Sequence, residues 1–259
     1  MKHEKILLIL SFCICSTAIF SQSAGPDKFF LGLDLGTSMA TNPTIKSQWI
    51  IRHAAGSGYY DFSNYFDGGL SSNMSVASVG IIPRYQFSKF PVSISSGLRY
   101  MHVSSYIRQG DPESNDFFYL QGNQDGSNSE YYRVKGVKQG NDYLGIPVEI
   151  SVSPIKTKYF SLFLKGGAEL GRMLATTTDV NFQNAAMAPY QQDVMAKAGS
   201  LDWWSTRFYS SLGARWGNDE HIKYSFEIDL PYVFQTSSST LVDPGLLSGC
   251  HFTIEIPLK

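Results

Sequence analysis

Along most of the chain, apolar side chains recur at every second position, the period that gathers them on one face of an extended strand. In Phe29 to Met39, Leu31, Leu33, Leu35 and Met39 alternate with Gly32, Asp34, Gly36 and Ser38. In Ala77 to Phe87, Val79, Ile81, Tyr85 and Phe87 oppose Gly80, Ile82, Arg84 and Gln86. Val92 to Val103 sets Val92, Ile94, Leu98 and Tyr100 against Ser93, Ser95, Gly97 and Arg99. Tyr143 to Val152 sets Leu144, Ile146, Val148 and Ile150 against Gly145, Pro147, Glu149 and Ser151. Tyr159 to Met173 carries Leu162, Leu164, Ala168 and Leu170 opposite Ser161, Lys165, Gly167 and Glu169. Arg207 to Trp216 places Phe208, Leu212, Ala214 and Trp216 opposite Arg207, Tyr209, Ser211 and Arg215. Ile222 to Tyr232 places Tyr224, Phe226, Ile228, Leu230 and Tyr232 opposite Lys223, Ser225, Glu227 and Asp229. Gly249 to Leu258 places Cys250, Phe252, Ile254, Ile256 and Leu258 opposite His251, Thr253 and Glu255. Each segment predicts a strand. Pro83 and Pro147 fall inside two of them and predict a bulge or a missing ladder bond.

The connections alternate in length. Ser88 to Pro91, Ser153 to Lys158 and Gly217 to Glu220 read as tight turns. Thr41 to Asn73, Ser104 to Asp142, Ala175 to Trp204 and Gln235 to Leu246 are long. Short periplasmic turns facing long extracellular loops are the asymmetry of bacterial transmembrane barrels. The fold class expected is therefore all-β: a single antiparallel up-and-down transmembrane β-barrel of eight strands. The alternative is ten, with Asp116 to Leu120 and Glu130 to Val134 as extra membrane strands. Those two segments are short for a span and fit better as a hairpin above it. Ala185 to Ala198, in the third long loop, suits a brief helix.

The polar face holds Gly, Ser and Thr with charges of both signs, rather than the Lys and Glu that solubilise a surface. Arg84, Arg99, Lys165, Arg207, Arg215 and Lys223 stand against Asp34, Glu149, Glu169, Glu227, Asp229 and Glu255. A narrow barrel interior needs such a balance, because an unpaired charge there is costly. These twelve are the expected lumen ion-pair network. Aromatics gather near strand ends: Phe29, Phe30, Tyr85, Phe87, Phe90, Tyr159 and Phe160 on the turn side, Tyr100, Tyr106, Trp203, Trp204, Tyr232 and Phe234 on the loop side. Two interfacial belts would look like this.

Before the first strand, Lys2, His3 and Lys5 precede the apolar run Ile6 to Cys15, followed by small and polar residues. This is the layout of a secretory signal peptide. Residues 1–21 are expected to be cleaved, leaving a barrel domain over 22–259, in the outer membrane. Cys13 and Cys15 would leave with the signal, so Cys250 has no internal disulfide partner. Composition agrees. The 259 residues are 43% hydrophobic and 14% aromatic but only 17% charged, against about 25% in an ordinary soluble domain. Mean hydropathy is −0.13, too low for a helical membrane protein. A net charge of −1 argues against nucleic acid as a partner.

Candidate chemistry is sparse. His102, at the top of the third strand beside Ser104 and Ser105, is a weak catalytic candidate for acyl transfer. His251 alternates into the lumen near Glu255, which would orient it. His53, in the first long loop, has no partner identifiable from sequence. Gly122 to Asn128 is rich in Asp, Asn and Gly but lacks the spacing and final Glu of an EF-hand. Phosphate loops and zinc-type clusters are absent, so neither a cofactor nor a metal is expected.

Phe29-Phe30-Leu31-Gly32-Leu33-Asp34-Leu35-Gly36, Asn141-Asp142-Tyr143-Leu144-Gly145-Ile146-Pro147-Val148-Glu149-Ile150 and Phe163-Leu164-Lys165-Gly166-Gly167-Ala168-Glu169-Leu170-Gly171 resemble segments of Bacteroidota-type outer-membrane β-barrel proteins, the group that includes PorT-like barrels. The general plan also looks like the small barrels OmpA and OmpX. The chain departs from many such barrels in ending Ile256-Pro257-Leu258-Lys259, without a terminal aromatic. The resemblance implies an outer-membrane, single-domain barrel. The function expected is non-enzymatic: a plugged polar lumen, with outer-membrane lipid around it and long loops suited to a protein or glycan partner, as an accessory of an envelope or secretion complex. The alternatives are a rim-active lipid or peptide hydrolase and a small pore.

Overall fold

The structure, a computed structural model, describes residues 26–41, 43–45, 50–51, 70–109, 117–125, 128–196, 203–236 and 241–258. The signal segment and His53 lie outside them. Eight strands form an all-β, antiparallel, up-and-down ring: β1 (Lys28–Ala40), β2 (Leu70–Gln86), β3 (Val92–Ser96 and Leu98–Gln109), β4 (Asn128–Lys156), β5 (Phe160–Phe182), β6 (Trp204–Trp216), β7 (Lys223–Thr236) and β8 (Leu246–Leu258). Each pairs with the next, and β8 closes on β1 with Leu33 opposite Ile254. Closure leaves the ring no open edge to protect.

The ladder is staggered. A path of paired residues starting at Lys28 runs through Gln86, Ser93, Ser151, Lys165, Ser211, Asp229 and Gly249 and returns to β1 at Ser38. A return about ten residues along an eight-stranded ring tilts the strands by about 40°. Such a barrel is narrow enough for side chains to fill it.

The third strand is interrupted at Gly97. Pro83 and Pro147 sit on the two flanking strands at this height, where β3 stops pairing with each: its nearest partners on β2 are Arg84, opposite Ser95, and Ile81, opposite Leu98, and on β4 they are Val148, opposite Ser96, and Gly145, opposite Arg99. A Cβ at Gly97 would overlap the Ile81 carbonyl. The two prolines expected to disturb the ladder therefore share one gap.

Several strands outrun the segments read from the sequence. β4 has 29 residues and β5 has 23. Phe118–Asp125 extends the line of β3 and forms a hairpin with β4, Leu120 opposite Tyr132, as expected for this loop. Residues of the Gly122 to Asn128 stretch lie in it, with Asp125 opposite Asn128. A 3-10 turn (Ala185–Tyr190), capped by the Asn184 carboxamide accepting from the Ala186 amide at 3.0 Å, leads into α1 (Gln191–Ala196). Two short strands, Thr44–Ile45 and Val242–Asp243, pair with each other near the same end.

Outward and inward chemistry exchange places partway up the strands. In the turn-side half the outward face is apolar. On β4 it carries Leu144, Ile146, Val148, Ile150, Val152 and Ile155, each at least two-fifths exposed. Arg99, Glu149, Lys165 and Glu169 point inward from β3, β4 and β5 and are buried. In the loop-side half the pattern inverts. Met74, Val76, Met101, Val103, Tyr143 and Leu247 are buried inside, and Ile107, Leu120, Tyr132, Val134, Val137, Val180 and Leu241 form a second apolar core above them. Outward positions there include Ser71, His102, Ser104, Arg133, Lys138 and Asp179, with Met39 an apolar exception.

Candidate functional site: the charged lumen and its apolar cap

Alternation on a tilted, closed sheet sends every second residue of the lower strands into one narrow space. All twelve charged residues of the sequence-defined set are buried in it. They divide into two tiers.

Arg99 organises the middle tier. Its guanidinium lies 3.0 Å from Asp34, 3.0 Å from Glu149 and 2.8 Å from Glu169, so strands β1, β3, β4 and β5 meet on one cation. Arg207 shares Glu169 at 2.7 Å. Lys165 pairs with Glu227 and lies 3.6 Å from Glu149. The Tyr209 hydroxyl donates to Glu149. Thr253, Ser211 and Ser95 donate to Asp34, Glu227 and Glu149 at 3.0, 2.9 and 2.9 Å. Burying a charge costs several kcal/mol unless its partners and remaining lone pairs are met. Multidentate pairing meets most of them here, while Glu169 Oε1 and Arg207 Nε stay buried without a hydrogen-bond partner among the described residues.

His251 belongs to this tier. Its Nδ1 lies 3.1 Å from Asp34 and its Nε2 3.2 Å from Asp229. Glu255, the partner expected from sequence, is instead occupied lower down. A spacing of four in a strand separates two side chains along the barrel, whereas Asp34 and Asp229 come from the strands on either side of β8. Gly36 makes room for the ring, since a Cβ there would overlap the imidazole.

The lower tier lies toward the turns. Glu255 takes Arg84 at 2.6 Å and Arg215 at 3.0 Å. The Arg84 and Arg215 guanidinium groups each lie 4.5 Å from a ring centroid, of Phe30 and Phe163 respectively, and the Lys223 ammonium lies 4.0 Å from the Phe30 ring. Lys223 pairs with Asp219 of the turn between β6 and β7. Asp219 also takes Lys28 at 3.3 Å and Lys156 at 3.2 Å. Sequence reading passed over these three residues because they stand in the turns or at strand ends. Burial alone would raise the Asp219 pKa, but its hydrogen bond with Lys223 and the charges of Lys223 and Lys156 hold it well below the usual carboxylate range.

The sign balance of the twelve is thus global and not local. The middle tier has Arg99, Lys165 and Arg207 against Asp34, Glu149, Glu169, Glu227 and Asp229. The lower tier has Arg84, Arg215 and Lys223 against Glu255. The charges are layered along the barrel axis.

The catalytic candidates of the third strand do not assemble in a pocket. His102 and Ser104 point outward, whereas Ser105 is buried inside. His102 Nδ1 lies 2.7 Å from Asp142, which also accepts from the Tyr100 hydroxyl at 2.6 Å. Among the described residues no hydrogen bond joins His102 to either serine. This polar cluster lies on the outer wall where the apolar belt ends.

Two aromatics assigned to the loop-side belt turn inward. A bulge in the β7–β8 ladder between Asp229 and Tyr232 adds a residue and reverses the alternation. Tyr232 and Phe234 are buried as a result. Phe30 is buried as well. Tyr100, Trp203 and Trp204 remain outward at the loop side, and Phe29, Tyr85, Phe90 and Tyr159 at the turn side.

No protein-family model and no curated protein sequence matches the chain. Among solved structures, the translocator domain of the autotransporter NalP from Neisseria meningitidis is similar over 100% of this chain and 97% of its own, at 7% identity and a TM-score of 0.25. The transport unit of the autotransporter AIDA-I from Escherichia coli is similar over 96% of each chain, at 8% identity and a TM-score of 0.23. At these scores neither likeness carries an argument about this chain, and the barrel stands on its own ladder.

Proposed function

We propose that the chain is an outer-membrane β-barrel whose lumen is closed and whose work is done by the part standing above the lipid. The observation that carries this reading is the exchange of inner and outer chemistry at one height. Apolar outside and charged inside suits a strand in hydrocarbon. Apolar inside and polar outside suits a strand in water. The outward apolar row from Leu144 to Ile155 spans roughly 27 Å along the axis at a 40° tilt, close to the roughly 25 Å apolar band of such barrels. The belts of exposed aromatics near its two ends support the same placement.

The charged tiers and the apolar cores above them fill the lumen, which favours a structural or interaction role over a pore. The long loops and the strand extensions carry the surface for a protein or glycan partner. Assignment to the PorT-like group of Bacteroidota-type barrels, and an accessory role in an envelope or secretion complex, rest on the sequence segments quoted above. Removal of residues 1–21 on export belongs to the same reading.

The test is fractionation followed by electrophoresis. The protein should extract from outer membranes with detergent and migrate differently boiled and unboiled. Recovery as soluble periplasmic material would end the proposal. Planar bilayers holding the purified protein should show no single-channel steps.

A further inference from the structure

His251 has a carboxylate at each end of its ring. Nδ1 lies 3.1 Å from Asp34 on β1, and Nε2 lies 3.2 Å from Asp229 on β7. All three residues are buried. The two carboxylates differ in what else they hold. Asp34 also takes Arg99 at 3.0 Å and accepts from the Thr253 hydroxyl. Asp229 has no second cation within reach among the described residues, and neither of its oxygens has an aligned hydrogen bond. The other charges that face the ring are engaged elsewhere. Glu227, opposite His251 on β7, pairs with Lys165 of β5 and accepts from Ser211. Arg99, across the lumen on β3, is held by Asp34, Glu149 and Glu169. Glu255, farther along β8, takes Arg84 and Arg215.

A neutral imidazole has one N–H and one lone pair. Between these two carboxylates the lone pair would face a negative oxygen. With Asp229 as that neighbour, a buried charge would be left without a counter-ion. Both faults vanish when each ring nitrogen carries a proton. We propose that His251 is a buried imidazolium clasping β8 to both of its neighbours, β1 and β7, and that loss of its second proton loosens the ring at this seam. The β7–β8 ladder shifts register immediately beyond Asp229, so the clasp stands where that pairing is already interrupted. A stranded buried carboxylate is costly. The stabilisation is therefore complete while the ring is charged and is lost as pH rises through the point where the second proton leaves.

The experiment is 15N NMR of the histidine rings in the full chain in detergent, with amide protection followed on the same sample as pH is raised. At neutral pH both nitrogens of His251 should give N–H resonances. When one proton is lost, protection should drop at Gly36, Ile228 and Cys250, around the clasp, and hold at Ile150 and Gly166, a β4–β5 pair away from it. Asp229→Asn removes the charge and keeps the shape. In that variant the ring's affinity for its second proton should fall about tenfold, and the loosening of the seam should move to lower pH with it. His251→Gln should abolish the pH dependence of the seam. If His251→Gln lacks the heat-shifted form on a gel, Asp229→Asn decides. A lone-pair nitrogen on His251 in the wild type at neutral pH overturns the proposal. So does a seam that loosens at the same pH in wild type and Asp229→Asn, or one that keeps its pH dependence in His251→Gln. The heat shift of the wild-type chain is read separately, so failure here leaves the barrel reading standing.

Discussion

The two halves of β4 are built on opposite rules. From Leu144 to Ile155 its outward side chains are apolar and its inward ones include Glu149 and Ser151. From Tyr132 to Val137 its inward side chains are apolar and its outward ones include Arg133. One continuous strand serves two solvents. The lower half is held by ions and hydrogen bonds within a closed ring, since lipid gives no hydrophobic reward for burying its outer face. The upper half is held as a soluble domain is, by apolar burial. Each half should therefore fail to a different kind of substitution.

The largest effect is expected at Arg99. Arg99→Met leaves Asp34, Glu149 and Glu169 without their shared cation. A loss of about 3–5 kcal/mol follows from stranding buried charge, read as a fall in the urea midpoint in lipid vesicles or as loss of the heat-shifted band. Next is a charge placed on the outer belt. Ile150→Arg should cost about 2–4 kcal/mol near the bilayer midplane, whereas Ser104→Arg, above the exchange point on the same wall, should cost about 0–1 kcal/mol. Equal costs at the two heights would erase the boundary drawn here. Leu120→Ala in the upper core should cost about 2 kcal/mol and act locally. Limited proteolysis should then cut the extension while the gel shift of the lower ring persists.

The smallest effect is with pH. Asp219 has a folded pKa below its unfolded value, so the folded state binds fewer protons than the unfolded chain as pH falls past about 4. Its contribution is complete above that pH and is lost progressively below it, through the depressed folded value. The urea midpoint should fall with acid less steeply in Asp219→Asn than in the wild type.

The sequence made the lower half legible and left the upper half nearly unread, for one physical reason. Reading by alternation ends a strand where its apolar face ends. On β4 the segment read as a strand begins at Tyr143, next to the point where apolar residues switch sides. A register shift in the β4–β5 ladder between Asp142 and Tyr143 marks the same place. The strand goes on to Asn128, with the pattern inverted from Tyr132 to Val137. The sidedness of Tyr232 and Phe234 was missed because a bulge is one extra residue with no compositional mark. The membership of the lumen set followed from period two alone. The partners within it did not, because they are set by stagger around the ring. His251 illustrates this, lying between Asp34 and Asp229 of its neighbouring strands rather than beside Glu255 of its own.

The gap at Gly97 has a consequence in time rather than in energy. A closed ring normally releases its amides to solvent exchange only when neighbouring strands part together. At this height Pro83 and Pro147 have no amide to exchange, and β3 is interrupted between them. The seam running through β2, β3 and β4 is thus where the ring can loosen without breaking a full set of ladder bonds. Deuterium should enter the Ile82, Gly97 and Val148 amides earlier than those of the β8–β1 closure, where pairing runs unbroken from Phe29 to Ala40.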